Sequence, residues 1–357
     1  MNKIHFGLVI FLFLIISCSG NTSDSNDETT VDEDIENITS SLNKTTSLFS
    51  GLEDGEFSTF VKSFAGIQSG NVTSDDWIED VFSGLEDFVD ADATEDNRRF
   101  DFNAHAGTYT YNHNTGGWSQ SSSANSIVLL FPSSESASDN DMALTLSGYQ
   151  DGTANIDGDS YYLPTSFLIV AEKSGTEIFK FHLKEINYSN DPDFPLPTVV
   201  DLDVYTAPVS YTLTFNRSSS KDFSLGFSLT NEDELITAFE LALKLAHDDY
   251  DNLMEEDLEK LTGNIQLTSD LTLEFEAELG TLFSLNDPSE NQINTMITCN
   301  VLYNGTNIGE LEYVEAEDDI FIVYKDGTSE SASRYYEKFA EDIEAIFFPF
   351  AGDWVDF

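Results

Sequence analysis

Residues 265–279, with the sequence IQLTSDLTLEFEAEL, alternate apolar and polar side chains almost without interruption. Successive side chains of a β-strand point to opposite faces, so this spacing predicts one or two strands. The apolar set occupies every second position and comprises Ile265, Leu267, Leu271, Leu273, Phe275, Ala277 and Leu279. The segment therefore predicts a sheet that is buried on one face and wet on the other.

The same period of two recurs on both sides of this segment. Short alternating runs are separated by polar or Gly-containing turns such as residues 114–117, which favours antiparallel hairpins. The predicted strands are 99–104, 107–112, 117–121, 126–131, 141–149, 164–172, 177–188, 199–206, 209–216, 222–230, 292–303, 307–315 and 319–324.

Other segments have the helical period of 3.6 residues. Residues 35–95 are predicted as a helical segment, and further helices are predicted at 234–247, 251–261 and 331–347. Residues 96–357 then form a β-rich body with covering helices. The predicted fold class is α+β: a large curled antiparallel β-sheet with an N-terminal helical segment and helices packed on one face.

The N-terminus has the features of a secretion signal: Lys3, an apolar run from Ile4 to Ile16, and a small residue at Ser17. The run is shorter than the roughly 20 residues that a membrane-spanning helix needs. Residues 15–18, Ile-Ile-Ser-Cys, resemble the lipobox of bacterial lipoproteins. This resemblance implies that residues 1–17 are removed and that Cys18 carries acyl chains, which together hold a soluble domain on a membrane.

Residues 18–34 are rich in acids, Ser, Asn and Thr, which predicts a flexible acidic tether. Ser19 follows the lipobox cysteine, where an Asp would retain a lipoprotein at the inner membrane. The resemblance therefore implies a lipid-anchored protein of the outer membrane that faces the periplasm or the cell surface.

The net charge of −51, with only 15 Lys and Arg, decides which partners are excluded. Nucleic acid binding requires clustered cations, so it is excluded, and membrane attachment must come from the lipid. Cys299 is the only other cysteine and lies in a strand-like run, which predicts a buried thiol without a disulfide. No cofactor is predicted apart from the covalent acyl lipid on Cys18.

The one basic stripe consists of Lys180, His182 and Lys184 at alternate positions of a predicted strand. It can face an anionic ligand or a partner, or it can balance carboxylates on neighbouring strands. No metal site is predicted, because the chain lacks zinc-type Cys and His spacing and a complete calcium loop. No catalytic residue is predicted, since the sequence contains neither a nucleophile elbow nor a phosphate-binding loop.

Residues 107–230 resemble envelope lipoproteins of unassigned function through GTYTYN at 107–112, Gly117-Trp118 and LPT at 163–165. The resemblance transfers no site. The leading hypothesis is a non-catalytic binding or envelope-structural role, with an envelope protein as partner. The alternative is a carrier of lipid or another apolar ligand, whose cavity residues 265–279 would line. A glycan-active hydrolase is the third hypothesis and would require two carboxylates about 5–10 Å apart in a cleft.

Overall fold

The computed structural model describes residues 31–50, 67–68, 71–72, 99–121, 125–134, 136–156, 159–189, 197–232, 234–333 and 335. In this part of the chain, the strands of each unit form a mostly antiparallel sheet, which confirms the predicted antiparallel sheet. The chain divides into two compact units: unit 1 comprises residues 1–50 and 217–357, and unit 2 comprises residues 51–216.

The helices and strands follow one another along the chain with mostly short connections. They are α1 (Val31–Ser50), β1 (Ile67–Gln68), β2 (Asn71–Val72), α2 (Phe102–His105), β3 (Gly107–Asn112), β4 (Gly117–Ser121), β5 (Ser126–Phe131), β6 (Met142–Ile156), β7 (Asp159–Lys173), β8 (Thr176–Tyr188), β9 (Pro197–Thr206), β10 (Val209–Arg217), β11 (Asp222–Asn231), β12 (Glu234–Leu245), β13 (Leu258–Gln266), β14 (Leu271–Ala277), α3 (Leu279–Phe283), α4 (Glu290–Met296), β15 (Ile297–Tyr303), β16 (Thr306–Val314), β17 (Asp319–Tyr324) and β18 (Ser329–Ser331).

Strand order follows chain order with one exception. Unit 1 has the order β18 to β11 without a crossover, and in unit 2 the order from β10 to β6 continues as β5, β3, β4. Strand β3 therefore lies between β4, with which it pairs antiparallel, and β5, with which it pairs in parallel. Strands β1 and β2 pair in a separate two-stranded sheet.

The core of unit 1 lies against one face of its strands. Alternate residues of β14 are buried together with Ile38 of α1, Ile293 of α4 and Cys299 of β15. Ile38 is 3% exposed, and the Thr45 hydroxyl donates to the carbonyl oxygen of Leu267 at 2.9 Å. Helix α1 is thus fixed to the sheet of unit 1 by both apolar packing and a hydrogen bond.

The prediction of a helix at 234–247 is wrong, because these residues form β12. From Phe239 to Leu245 the apolar side chains also alternate, and Leu241 pairs with Leu225 on one side and Gly263 on the other. Two neighbouring strands supply cross-strand contacts that outweigh the local helical pattern.

Several other boundaries differ from the predictions. The predicted helix at 251–261 is replaced by two short 3-10 turns and the start of β13, and the predicted strand at 99–104 contains α2. The N-terminal part of the predicted strand at 292–303 is α4, which a Ser289–Gln292 capping box begins.

The N-terminal predictions are only partly covered by the described residues. Helix α1 begins at Val31, so the last residues of the predicted tether are helical. The signal segment, the rest of the tether, most of residues 51–98 and most of the predicted helix at 331–347 lie outside the described residues. Among the described residues, no helix is both long enough and apolar enough to cross a membrane.

Candidate functional site

The strands of unit 2 bring apolar side chains into rows that run across the sheet. Directly paired residues of antiparallel strands project to the same face. One row contains Phe167, Leu183, Leu202 and Leu213, the next contains Ile169, Phe181, Val204 and Tyr211, and a third contains Ile186, Val200 and Phe215. We call this set the apolar face of β7–β10.

Most of the apolar face of β7–β10 is only partly buried. Leu183 is buried, and the other members of the three rows are partly exposed. The rings of Phe167 and Phe181 stack with centroids 5.5 Å apart and planes 14° apart. In the described part of unit 2 the only helix is the four-residue α2. The rows are thus ordered by strand pairing, and all members except Leu183 keep a minor part of their surface in contact with solvent.

On β8–β10 the opposite face is mostly polar and carries the predicted basic stripe, whereas β7 adds Leu168 and Val170 to that face. Lys184 lies 3.1 Å from the Asp201 carboxylate and 2.8 Å from that of Asp203, and His182 pairs in register with Asp203. Lys180 lies 3.3 Å from the carboxylate of Glu177.

These contacts match one of the two interpretations of the basic stripe. The hydrogen bond to Asp203 raises the pKa of Lys184, with burial opposing and Asp201 adding to this effect. Because Lys180 and Lys184 already contact carboxylates, an anionic ligand has to compete with Glu177, Asp201 and Asp203. Balance of neighbouring carboxylates therefore describes both lysines better than an open anion site.

One of the two cysteines, Cys299, lies within the described residues. Cys299 is fully buried in the core of unit 1, and desolvation raises the pKa of its thiol. A thiol with a raised pKa is a poor nucleophile, so Cys299 acts as a small apolar core residue, as predicted. Cys18, the predicted site of lipid attachment, lies outside the described residues.

The segment expected to line a carrier cavity does not line one along β14. Leu271, Leu273, Phe275 and Ala277 are between 0% and 5% exposed and pack with one another and with Ile38. That placement of the cavity is therefore wrong, because α1 and the neighbouring strands fill the space. In the described ranges, no group of three or more His, Cys, Asp or Glu is arranged to hold a metal ion.

One surface feature of unit 2 was not predicted from the sequence. Arg99 donates from Nε and Nη2 to the two oxygens of Asp151, both at 2.8 Å, and lies over the Tyr162 ring. Phe100 stacks on His105 with centroids 5.5 Å apart. The only sequence signal is the concentration of aromatic residues, since partners 52 positions apart cannot be paired from spacing.

The apolar face of β7–β10 was also not singled out, although its signal is present. Alternation at 179–183, 200–204 and 211–215 places the apolar residues on one side of each strand, and only the register aligns them. No protein-family model matches this chain, and no curated protein or solved structure is significantly similar to it.

Proposed function

We propose that this chain is a lipid-anchored outer-membrane protein with a non-catalytic binding role, and that it binds through the apolar face of β7–β10. The observation that carries the proposal is the alignment of three apolar rows that remain partly exposed. Apolar surface removed from water contributes about 25 cal/mol per Å², so an occupant that covers these rows gains affinity from each of them. Contiguous exposed apolar surface is typical of interaction sites.

The anchoring part of the proposal rests on the N-terminal sequence. Cys18 would carry the acyl chains, and residues 19–30 would link it to α1. The strongly acidic body would then be held at the membrane by its lipid and not by a basic surface.

Anchoring is tested by labelling cells with an alkyne analogue of palmitate and comparing the natural chain with Cys18→Ser. We expect the label on the natural chain only, because Cys18→Ser removes the acylated thiol. Equal labelling of both chains, or labelling of neither, contradicts lipid attachment at Cys18.

The proposal includes the finer organisation of the fold, a curled sheet with helices packed on one face. Its support is α1, whose Ile38 packs in the same core as Phe275. Helices α3 and α4 contribute Leu282 and Ile293 to that core. Membership of these three residues in one core supports the proposal that the helices pack on the apolar side of the strands of unit 1.

A second candidate, a carrier of lipid or another apolar ligand, is favoured by the same partial exposure. The filled core along β14 leaves the rows of β7–β10 as the place where such a ligand would lie. The stacked rings of Phe167 and Phe181 provide a flat apolar surface there. The two candidates differ only in whether the occupant is an envelope protein or a small apolar molecule.

The experiment that tests the binding surface is photo-crosslinking in cells with benzoylphenylalanine in place of Leu213. Thr214 is the matched control, because it follows Leu213 in β10, lies on the polar face and is exposed. We expect crosslinks from position 213 and not from position 214. Equal crosslinking at both positions, or none at position 213, contradicts the proposal.

Native mass spectrometry of residues 19–357 then separates the two candidates. An adduct that survives purification and disappears after solvent extraction identifies a carrier, and Leu213→Glu should remove it while Thr214→Glu retains it. An unadducted mass combined with protein crosslinks at position 213 identifies a protein partner.

A further inference from the structure

Strand β4 forms an open edge of the sheet in unit 2. It pairs with β3 through five residues from Gly117 to Ser121, and no other strand of the described residues pairs with it. Ser119, Gln120 and Ser121 are exposed. An edge strand presents unpaired N–H and C=O groups, so β4 is a template to which another strand can add.

The sequence features that usually protect an edge strand are missing from β4. Natural edges are blunted by charged side chains, proline, bulges or very short length. The sequence GWSQS contains no charge and no proline, and its register with β3 is continuous. Strand β18, the edge strand of unit 1, has three residues and contains Glu330, so it does show such protection.

Charge is also absent from β4 and from the sequence on both sides of it, in a chain that is otherwise rich in acids. Asp and Glu make up 66 of the 357 residues, yet residues 102–134 contain no Asp, Glu, Lys or Arg. This uncharged stretch includes the whole of β3, β4 and β5. An acidic partner that adds to β4 therefore meets no like charge from β4, β3 or β5.

The charge pattern identifies the partner. The absence of acidic residues from this edge gives no advantage to a basic partner, because acidic residues would attract it. It gives none to a neutral partner either, because acidic residues would not repel it. A strongly acidic partner does gain from a contact without acids, and a second copy of this chain, with a net charge of −51, is such a partner. We propose that β4 pairs antiparallel with β4 of a second copy across a twofold axis.

The size of the contact predicts that this pairing is reversible. A pair of five-residue strands is small beside the roughly 1,200–2,000 Å² that specific, stable interfaces bury. The side chains of Ser119 and Ser121 are short and donate to carbonyl oxygens of β3, which leaves room for a strand to approach. Association should therefore depend on the protein concentration.

The test is disulfide crosslinking of the full chain in membranes, with single cysteines at Ser119, Gln120 and Ser121. Ser224→Cys is the matched control, since Ser224 is also an exposed residue of a strand, but belongs to β11 of unit 1, which pairs with β12 over its whole length. The buried Cys299 does not compete. After mild oxidation we expect at least one edge variant to give about tenfold more dimer than Ser224→Cys.

A second substitution separates pairing from random collision. Adding Ser121→Asp to the Ser119→Cys chain should reduce the dimer to the level of Ser224→Cys, because the two copies then bring negative charges together at the edge. Dimer yields that equal the control in all three edge variants overturn the proposal. A crosslinked product whose mass is not twice that of the monomer also overturns it, since β4 then takes a strand of another protein.

Discussion

Strand β14 of unit 1 and strand β8 of unit 2 have the same alternating pattern and different environments. In β14 the apolar positions Leu273 and Phe275 are each 5% exposed, and α1 contributes Ile38 to the same core. In β8 the equivalent side chain of Phe181 is only partly buried. Alternation therefore decides which side chains share a face, whereas the elements packed on that face decide whether they become core or surface.

The largest expected effect comes from truncating the core of unit 1. Phe275→Ala should lower the free energy of unfolding by about 3–5 kcal/mol, because a buried ring is lost and a cavity remains. Urea unfolding followed by circular dichroism measures the change. The matched control is Glu274→Ala on the exposed face of the same strand, which should change stability by less than about 0.5 kcal/mol.

A glycine in the same core row should be the next most sensitive position. Gly263 pairs with Leu241 and Phe275, and a Cβ atom there would lie 2.2 Å from the carbonyl oxygen of Glu240. Gly263→Ala should cost about 1–3 kcal/mol, since backbone has to move. Gly305→Ala is the comparison variant. A Cβ atom at Gly305 would have no atom within 4 Å, but φ is +75°, so this substitution measures the cost of backbone strain in the absence of a steric clash.

Phe181→Ala in unit 2 sharpens the comparison between the two faces. Because Phe181 is only partly buried, its truncation should cost less than half as much as Phe275→Ala while it weakens crosslinking at position 213. His182→Ala alters the polar face of the same strand and should leave the crosslink unchanged. An equal loss of stability for Phe181→Ala and Phe275→Ala would contradict the distinction between core and surface.

The ion pairs of the polar face should contribute less to the free energy of unfolding than the apolar contacts do. Lys184→Met removes the contacts with Asp201 and Asp203 and should cost no more than about 1 kcal/mol, because the groups are partly exposed and screened by salt. The difference from the natural chain should shrink at high salt. A larger and salt-independent loss would show that apolar packing of the lysine stem dominates.

A titration in unit 1 gives the smallest expected change. Burial, followed by repulsion from Glu310 and Glu290, raises the pKa of Glu312. A carboxyl whose pKa is higher in the folded state lowers stability as the pH rises from its unfolded to its folded pKa. Glu312→Gln should therefore stabilise the chain slightly at pH 7 and change nothing at a pH below the unfolded pKa, in unfolding experiments at both values.

The strand predictions agree with the structure where a run of alternating residues has a turn at each end. The predicted strand at 107–112 agrees with β3, and that at 319–324 agrees with β17. Residues 234–247 were predicted wrongly, because their apolar residues fit both periods and only the pairing with β11 and β13 separates them. The spacing of apolar residues within one segment does not indicate which strands will pair with it.

The candidate site was predictable only in part. The sequence placed Lys180, His182 and Lys184 on one face of a strand. The register agrees for Lys180 and His182, while Lys184 lies at a bulge and reaches the same face through its contact with Asp203. It could not show that Lys184 contacts Asp201 and Asp203, which belong to another strand. The apolar rows were missed for the same reason, since each is assembled from side chains of different strands.

The sequence by itself determined the acidic charge, the predicted lipid attachment at Cys18 and the two-faced character of the strands. These properties depend on composition and on neighbouring residues, so they need no knowledge of long-range contacts. Only the tertiary structure decided that Ile38 of α1 shares a core with β14, that β7–β10 keep an apolar face partly exposed, and that β4 lies at an edge. Those outcomes depend on register and strand order, which are set by contacts between residues far apart in the chain.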